Sequence, residues 1–372
     1  MKVPVSTPLL GAYERKYVTS AIKKGHISGL FGDYLPEFET AFAKFCGTKY
    51  CALVNSGTTA LHLAIAALNI GKGDEVLVAT FTNMATFFAV LYEGATPIPV
   101  DIEPDTFNID VSKIEEKITP RTKAIIVVHI YGHSVDMDPV MAIAKKHNLY
   151  VIEDAAEAHG ATYKGRPVGS IGHIGCFSFY SNKIITTGEG GAVTTDDKAL
   201  IERIKNIKNL AFGDTDKFMH KEIGFKYQMT NLQAAVGAGQ MKHVKDILKR
   251  KRAIGAYYTK HLKNVVGIQL PVEKAYAKNV YWMFNLVLAG PLSGKRAQFM
   301  DELKKRGVET REDFVPYNEQ KFFIDKGLTR PSDCPTASRL YKEGFYIPSG
   351  TLISQKELAY VVKQIKEVAA AL

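Results

Sequence analysis

Lys183 closes an apolar, aromatic run, Phe177-Ser178-Phe179-Tyr180-Ser181-Asn182, and a glycine-rich stretch through Gly188, Gly190 and Gly191 follows it. A lysine in a desolvated pocket loses basicity and can act as an amine nucleophile, although most lysines are simply solvated at the surface. Upstream, Ser56-Gly57-Thr58-Thr59 lies between a strand-like segment at 50–54 and an apolar helix. A small turn at a helix N-terminus presents backbone N–H groups beside the positive end of the dipole, which suits a phosphate; it is also how an ordinary Ser or Thr cap looks. Between the two, Ile152-Glu153-Asp154-Ala155-Ala156-Glu157 sets acids past the end of an apolar strand. Ligands of open α/β sheets bind there, and an Asp capping the next helix would look the same. Taken in order, a phosphate turn, strand-end acids and a lysine after an aromatic strand suggest amine chemistry on a phosphorylated ligand.

The elements that must position these residues read as α/β. Helical stretches at Ala60–Leu68, Thr82–Glu93, Val111–Lys117 and Pro139–His147 alternate with apolar runs at Glu75–Val78, Pro97–Val100, Ala124–His129, Tyr150–Glu153 and Gly175–Tyr180. Continuous apolar strands between helices indicate a mainly parallel sheet covered on both faces. After about Lys242 the character changes. A basic amphipathic helix to Leu262 is followed by an apolar run at Trp282–Leu288, a helix at Lys295–Arg306 and a C-terminal helix from Ser354. The expected division is a large doubly wound domain over 1–241, and a connector helix with a smaller α+β domain over 242–372.

The 372 residues carry 48 Lys and Arg against 38 Asp and Glu, a formal charge of +10. Such a balance favours anionic partners, and phosphorylated small molecules fit better than nucleic acid because no aromatic-basic interleave is present. Cys46, Cys51, Cys176 and Cys334 show no CxxC spacing, and no metal cluster is expected. His129 and His133 flank Ile130-Tyr131-Gly132 without a third ligand, so capping or core roles are expected of them. His159 and Trp282 are expected to pack, Trp282 in the core. Neither a secretory leader nor an apolar run of about 18 residues is legible, so a soluble, cytoplasmic protein is expected, without membrane partners.

The three chemical segments, in order, resemble those of the nucleotide-sugar aminotransferases of the DegT type, within the fold-type-I enzymes that use pyridoxal phosphate (PLP). Ile118 to Ile125, His129 to His133, Val151 to Glu157 and Lys183 to Gly191 match the family's pattern, and the similarity covers nearly the whole chain. Asn182 to Gly191 and Met229-Thr230-Asn231 look most similar to the perosamine-forming subgroup. The resemblance implies a homodimeric transaminase that takes an amino group from L-glutamate and, through the pyridoxamine form of the cofactor, passes it to a keto-deoxysugar nucleotide. The ketone would be at C4, with C3 amination or an aminocyclitol acceptor as alternatives. Lys183 would bond covalently to the cofactor and move protons, Asp154 would face the pyridine nitrogen and Glu157 the phenolic oxygen. Ser56, Gly57, Thr58 and Ser178 would hold the phosphate, with Lys226 and Gln228 reaching over from the partner subunit. Arg311, Tyr317 and Asn318 would lie by the substrate.

The chain also departs from that pattern. Asn83 stands where many relatives carry an aromatic residue over the cofactor ring, so either Phe81 or another aromatic stacks there, or hydrogen bonds hold the ring. The perosamine-forming enzymes typically have Asn and Arg where this chain has Lys226 and Gln228, and the stretch Arg311-Glu312-Asp313-Phe314-Val315-Pro316 lacks the family's His. The related sugar dehydratases carry His in place of Lys183, which argues against that reaction. No GxGxxG follows the first strand, which argues against a nicotinamide enzyme.

Overall fold

A computed structural model describes residues 1–213, 216, 218–220 and 222–372. Seven strands form the central sheet: β1 (Tyr50–Val54), β2 (Glu75–Ala79), β3 (Thr96–Val100), β4 (Thr122–Val128), β5 (Tyr150–Asp154), β6 (Ile174–Ser178) and β7 (Gly191–Thr195). Their order is β1-β7-β6-β5-β4-β2-β3. The pairs from β6 to β3 are parallel, whereas β7 is antiparallel to both of its neighbours. Alternation along β4 explains the double covering. Ala124 and Ile126 pack with α3 (Gly57–Ala67), α4 (Ala85–Tyr92) and α6 (Lys198–Ile207) on one face. Ile125 and Val127 pack on the other in a cluster with α1 (Ala12–Lys23), α2 (Tyr34–Cys46), α5 (Met137–His147) and α7 (Asn231–Met241). Each such Ile or Val side chain contributes about 1.5–3 kcal/mol by leaving water.

The following segment begins with α8 (Val244–Leu262) and carries a second sheet of β8 (Ile268–Gln269), β9 (Phe284–Leu288), β10 (Arg311–Glu312) and β11 (Gly344–Ile347), ordered β8-β9-β11-β10. Helix α9 (Arg296–Lys305) and the C-terminal helix Gln355–Ala371 cover it. The N-terminus crosses to this unit: Val3 bridges to Val308 and is buried in the same cluster.

Two sequence expectations shift in a way that matters for the site. The stretch expected as a helix from Thr82 starts only at Ala85, because the Asn83 side-chain oxygen accepts the Ala85 N–H and turns the chain just before it. That leaves Thr82 and Asn83 free to line a cleft. Val111–Lys117 is two 3₁₀ turns broken at Ile114, with Asp110 capping the first. The four cysteines are free and buried.

Candidate active site

The carboxyl ends of the parallel strands open into a cleft of about 360 Å³. Asp154 is the last residue of β5 and Ser178 the last of β6, so strand length alone delivers both to the rim. Ser56 caps α3 by accepting the Thr59 N–H at 3.1 Å. Among the described residues no hydrogen bond engages the next two N–H groups, those of Gly57 and Thr58, and both residues line the cleft. Gly57 is required by close approach: a Cβ there would lie 2.7 Å from the Cβ of Ser178.

Lys183 reaches the same cleft with its side chain only 11% exposed. Its Nζ lies 3.8 Å from Glu157 Oε1. Burial lowers its basicity, while Glu157 and Asp154 pull the other way. The amine is thus held between a neutral nucleophile and a paired ammonium. Burial also pushes Glu157 up to about 7, partly opposed by Lys183. Glu157 Oε2 accepts the Tyr131 N–H at 2.8 Å. Tyr131 holds a left-handed backbone, φ 52°, a conformation costly for a residue other than glycine that surrounding structure must impose. Burial raises the Asp154 carboxyl as well, offset first by Thr86, whose hydroxyl donates to Oδ2 at 2.8 Å. The Ala156 N–H donates to Oδ1 at 3.2 Å.

Ser56, Gly57, Thr58, Asn83, Asp154, Glu157, Ser178 and Lys183 therefore come together in one cleft. Other expected residues do not reach it. Lys226 and Gln228 bond to each other through Nζ and Oε1, outside the lining, with Lys226 exposed. Arg311 is exposed and pairs with Glu309. Tyr317 is buried and stacks on Phe87 with centroids 4.1 Å apart. Asn318 is fully buried and spends its amide on the Thr80 and Ser338 hydroxyls and on the backbone carbonyls of Pro331 and Cys334. For Tyr317 and Asn318 the core outcompetes the cleft, since a buried amide must find partners where it sits. Phe81 also packs inward, against Phe107, Tyr131 and Phe314, so Asn83 stands at the cleft without that aromatic.

Trp282 corrects the expectation of a purely core role. It is 4% exposed, yet its ring lines the cleft and lies 3.6 Å, centroid to Nζ, from Lys183. Thr86 and Tyr131 were also missed. A lone threonine in an apolar helix start and a tyrosine beside a glycine carry no spacing signal. His129 and His133 are buried in hydrogen bonds, to Glu153 Oε2 and to the Ser134 carbonyl.

A model of the DegT/DnrJ/EryC1/StrS aminotransferase family matches residues 8–366. The chain belongs to this family. GDP-perosamine synthase of Caulobacter vibrioides is 39% identical, covering 99% of this chain and 98% of its own. The dTDP-3-amino-3,4,6-trideoxy-alpha-D-glucose transaminase of Streptomyces venezuelae is 35% identical over 96% and 94%. A sugar aminotransferase of Streptococcus pneumoniae, solved in its PLP form, superposes with a TM-score of 0.94 at 26% identity, covering 100% and 99%. The enzyme is thus an aminotransferase that uses pyridoxal phosphate. The cleft fits that cofactor: two free N–H groups and a Ser178 hydroxyl at one side suit a phosphate, and a desolvated amine suits an aldehyde. A buried carboxyl at the end of β5 suits a ring nitrogen that must stay protonated.

Proposed function

We propose that this aminotransferase moves the amino group of L-glutamate to the C4 ketone of a nucleotide-linked 4-keto-6-deoxyhexose, as a GDP-perosamine synthase does. The observation that carries the reaction is Lys183, the only lysine lining the cleft among the described residues, beside buried Glu157 and Asp154. The full-length likeness to the Caulobacter enzyme supports the acceptor. Bound PLP supplies an electron sink and carries the amino group. Lys183 holds it covalently and moves protons, Asp154 keeps a proton on the ring nitrogen, and Glu157 stands by the phenolic oxygen. Ser56, Gly57, Thr58 and Ser178 bind the phosphate, and Asn83 meets the ring by hydrogen bonding.

This reading includes a homodimer with shared sites. Among the described residues Lys183 is the only cation lining the cleft, while a sugar nucleotide brings a diphosphate and glutamate two carboxylates. Lys226 and Gln228, outside their own cleft, would complete the partner's. Mixing Lys183→Ala subunits with Lys226→Ala/Gln228→Ala subunits is expected to restore activity. One site of each heterodimer then carries both lesions and the other neither. Two inactive, correctly dimeric parents whose mixture recovers nothing would place each site within a single chain.

Gly57→Ala is expected to weaken PLP retention about tenfold, because its methyl must displace Ser178 at a cost of about 1–3 kcal/mol. Titrating the cofactor-free variant with PLP by absorbance checks this. The acceptor is tested by incubating the holoenzyme with glutamate and a panel of GDP-, UDP- and dTDP-linked 3- and 4-keto sugars, reading products by mass. Amination confined to 3-keto sugars would favour the reaction named for the Streptomyces relative and end the C4 reading.

A further inference from the structure

Trp282 is the only tryptophan in the chain; its backbone N–H donates to the Tyr131 carbonyl and its ring stacks on Tyr131, and three further contacts hold it. Its ring face meets the Lys183 amine at 3.6 Å. Its Nε1–H donates to the carbonyl of Asn182, the residue before Lys183, at 2.9 Å. Its own carbonyl accepts from Lys251 Nζ at 3.0 Å. Lys251, from α8, is an unusual anchor. It is 4% exposed, and its other bond is to the Ser349 carbonyl, so backbone oxygens hold it. Burial is the one influence acting on its basicity, with no carboxylate opposing it among the described residues. Burial brings the Lys251 amine down to about 7, and a polar group this deep must keep its bonds, one of which ties it to the backbone at Trp282. Trp282 and Lys183 line both the cleft and a narrow crevice that Ser6, Thr7 and Lys251 also line.

We propose that Trp282 is a further catalytic residue of this aminotransferase: its indole face holds the Lys183 amine whenever that amine is not bonded to the cofactor. Lys251 is the positioning residue that sets the indole there. The proposal rests on the reading of Lys183 given above. An amine released inside the cleft must stay within reach of the substrate carbon and must not lose its proton to the wrong group. The groups facing Lys183 are the carboxylates Glu157 and Asp154, the buried His159, and this ring. An indole attracts an ammonium through its electron-rich face. It has no basic nitrogen, and its one N–H is already committed to Asn182. The ring can therefore hold Lys183 without joining the proton transfer. A substrate C–H bond breaks, the proton forms an N–H bond on Lys183, and the same proton later returns to carbon. Trp282 ends as it began.

Trp282→Leu removes the face and Trp282→Phe keeps most of it. In the holoenzyme, Trp282→Leu is expected to lower kcat about 10- to 30-fold with KM for both substrates changed less than about twofold. Without the ring the ammonium is less stabilised, so Lys183 becomes neutral at lower pH. The acid limb of the kcat profile should move down by about one pH unit. Trp282→Phe should recover most of both effects, and Lys251→Met should reproduce them in part. A Trp282→Leu enzyme with unchanged kcat and unchanged acid limb overturns the proposal. Borohydride labelling of that variant separates the two readings: a pyridoxyl group off Lys183 would fault the assignment of Lys183 instead. Should Trp282→Leu not fold, the emission of the full-length protein without cofactor reports on the single tryptophan. It should titrate in alkaline solution and lose that step in Lys183→Met; a step that survives Lys183→Met also overturns the proposal.

Discussion

Asp154→Asn is expected to fold, to retain part of its PLP and to lose about 100-fold or more of its transamination rate. The side chain sits at the end of β5 with Thr86 donating to one oxygen and the Ala156 N–H to the other. An Asn fits that space, because the Thr86 hydroxyl can rotate to accept from the new amide. Folding should therefore cost no more than about 1–3 kcal/mol for a rearranged buried hydrogen bond. What an amide cannot do is hold a proton on a ring nitrogen by its charge. A ring that loses that proton is a poor electron sink, and the barrier to breaking the donor's C–H bond rises. A 100-fold loss corresponds to about 2.7 kcal/mol. Single-turnover rates with glutamate, followed by the cofactor's absorbance, isolate this step. An Asn variant working near the parental rate would leave Asp154 as no more than a strand-end residue bonded to Thr86.

The sequence revealed the site's backbone better than its walls, for a physical reason. Asp154 and Ser178 are last residues of buried strands, and a run of apolar residues ending in a polar one is a local pattern. Ser56 belongs to a helix-start pattern that spans four residues. Trp282, Phe314 and Tyr346 come to the cleft from the second unit, across about a hundred residues or more from Lys183. Nothing local distinguishes a tryptophan that packs in a core from one whose buried ring also faces an amine. Tyr317 and Asn318 show the opposite error. They neighbour a stretch with a family signature, but burial against Phe87 and the bond to Thr80 committed them elsewhere. The antiparallel β7 was unrecognised because Gly191–Thr195 is short and small, and follows a glycine-rich turn rather than a helix.

Replacing Lys183 is expected to have the largest effect of any single change in the cleft. Among the described residues three lysines are buried deeply enough to offer a desolvated amine, and geometry separates them. Lys208 donates to the Leu53 carbonyl beside Glu39, and Lys251 is fixed between two carbonyls in the adjoining crevice. Only Lys183 lines the cleft with the strand-end acids. Burial depresses its basicity and two carboxylates restore part of it, so the neutral amine a nucleophile requires is easier to reach than in a solvated lysine. Borohydride reduction of the yellow holoenzyme, followed by peptide mapping, should leave the pyridoxyl group on Lys183. In Lys183→Met the side chain keeps its length and apolar stem but has no amine, so the fold should hold. The visible band of the covalently held cofactor should vanish, and turnover should fall by about 10⁴-fold or more, since both the covalent link and the proton carrier are gone. PLP should still bind reversibly, because its phosphate ligands at Ser56, Gly57, Thr58 and Ser178 are untouched. Label on Lys251 or Lys208, or a Lys183→Met enzyme with substantial turnover, would move the chemistry to another part of the molecule.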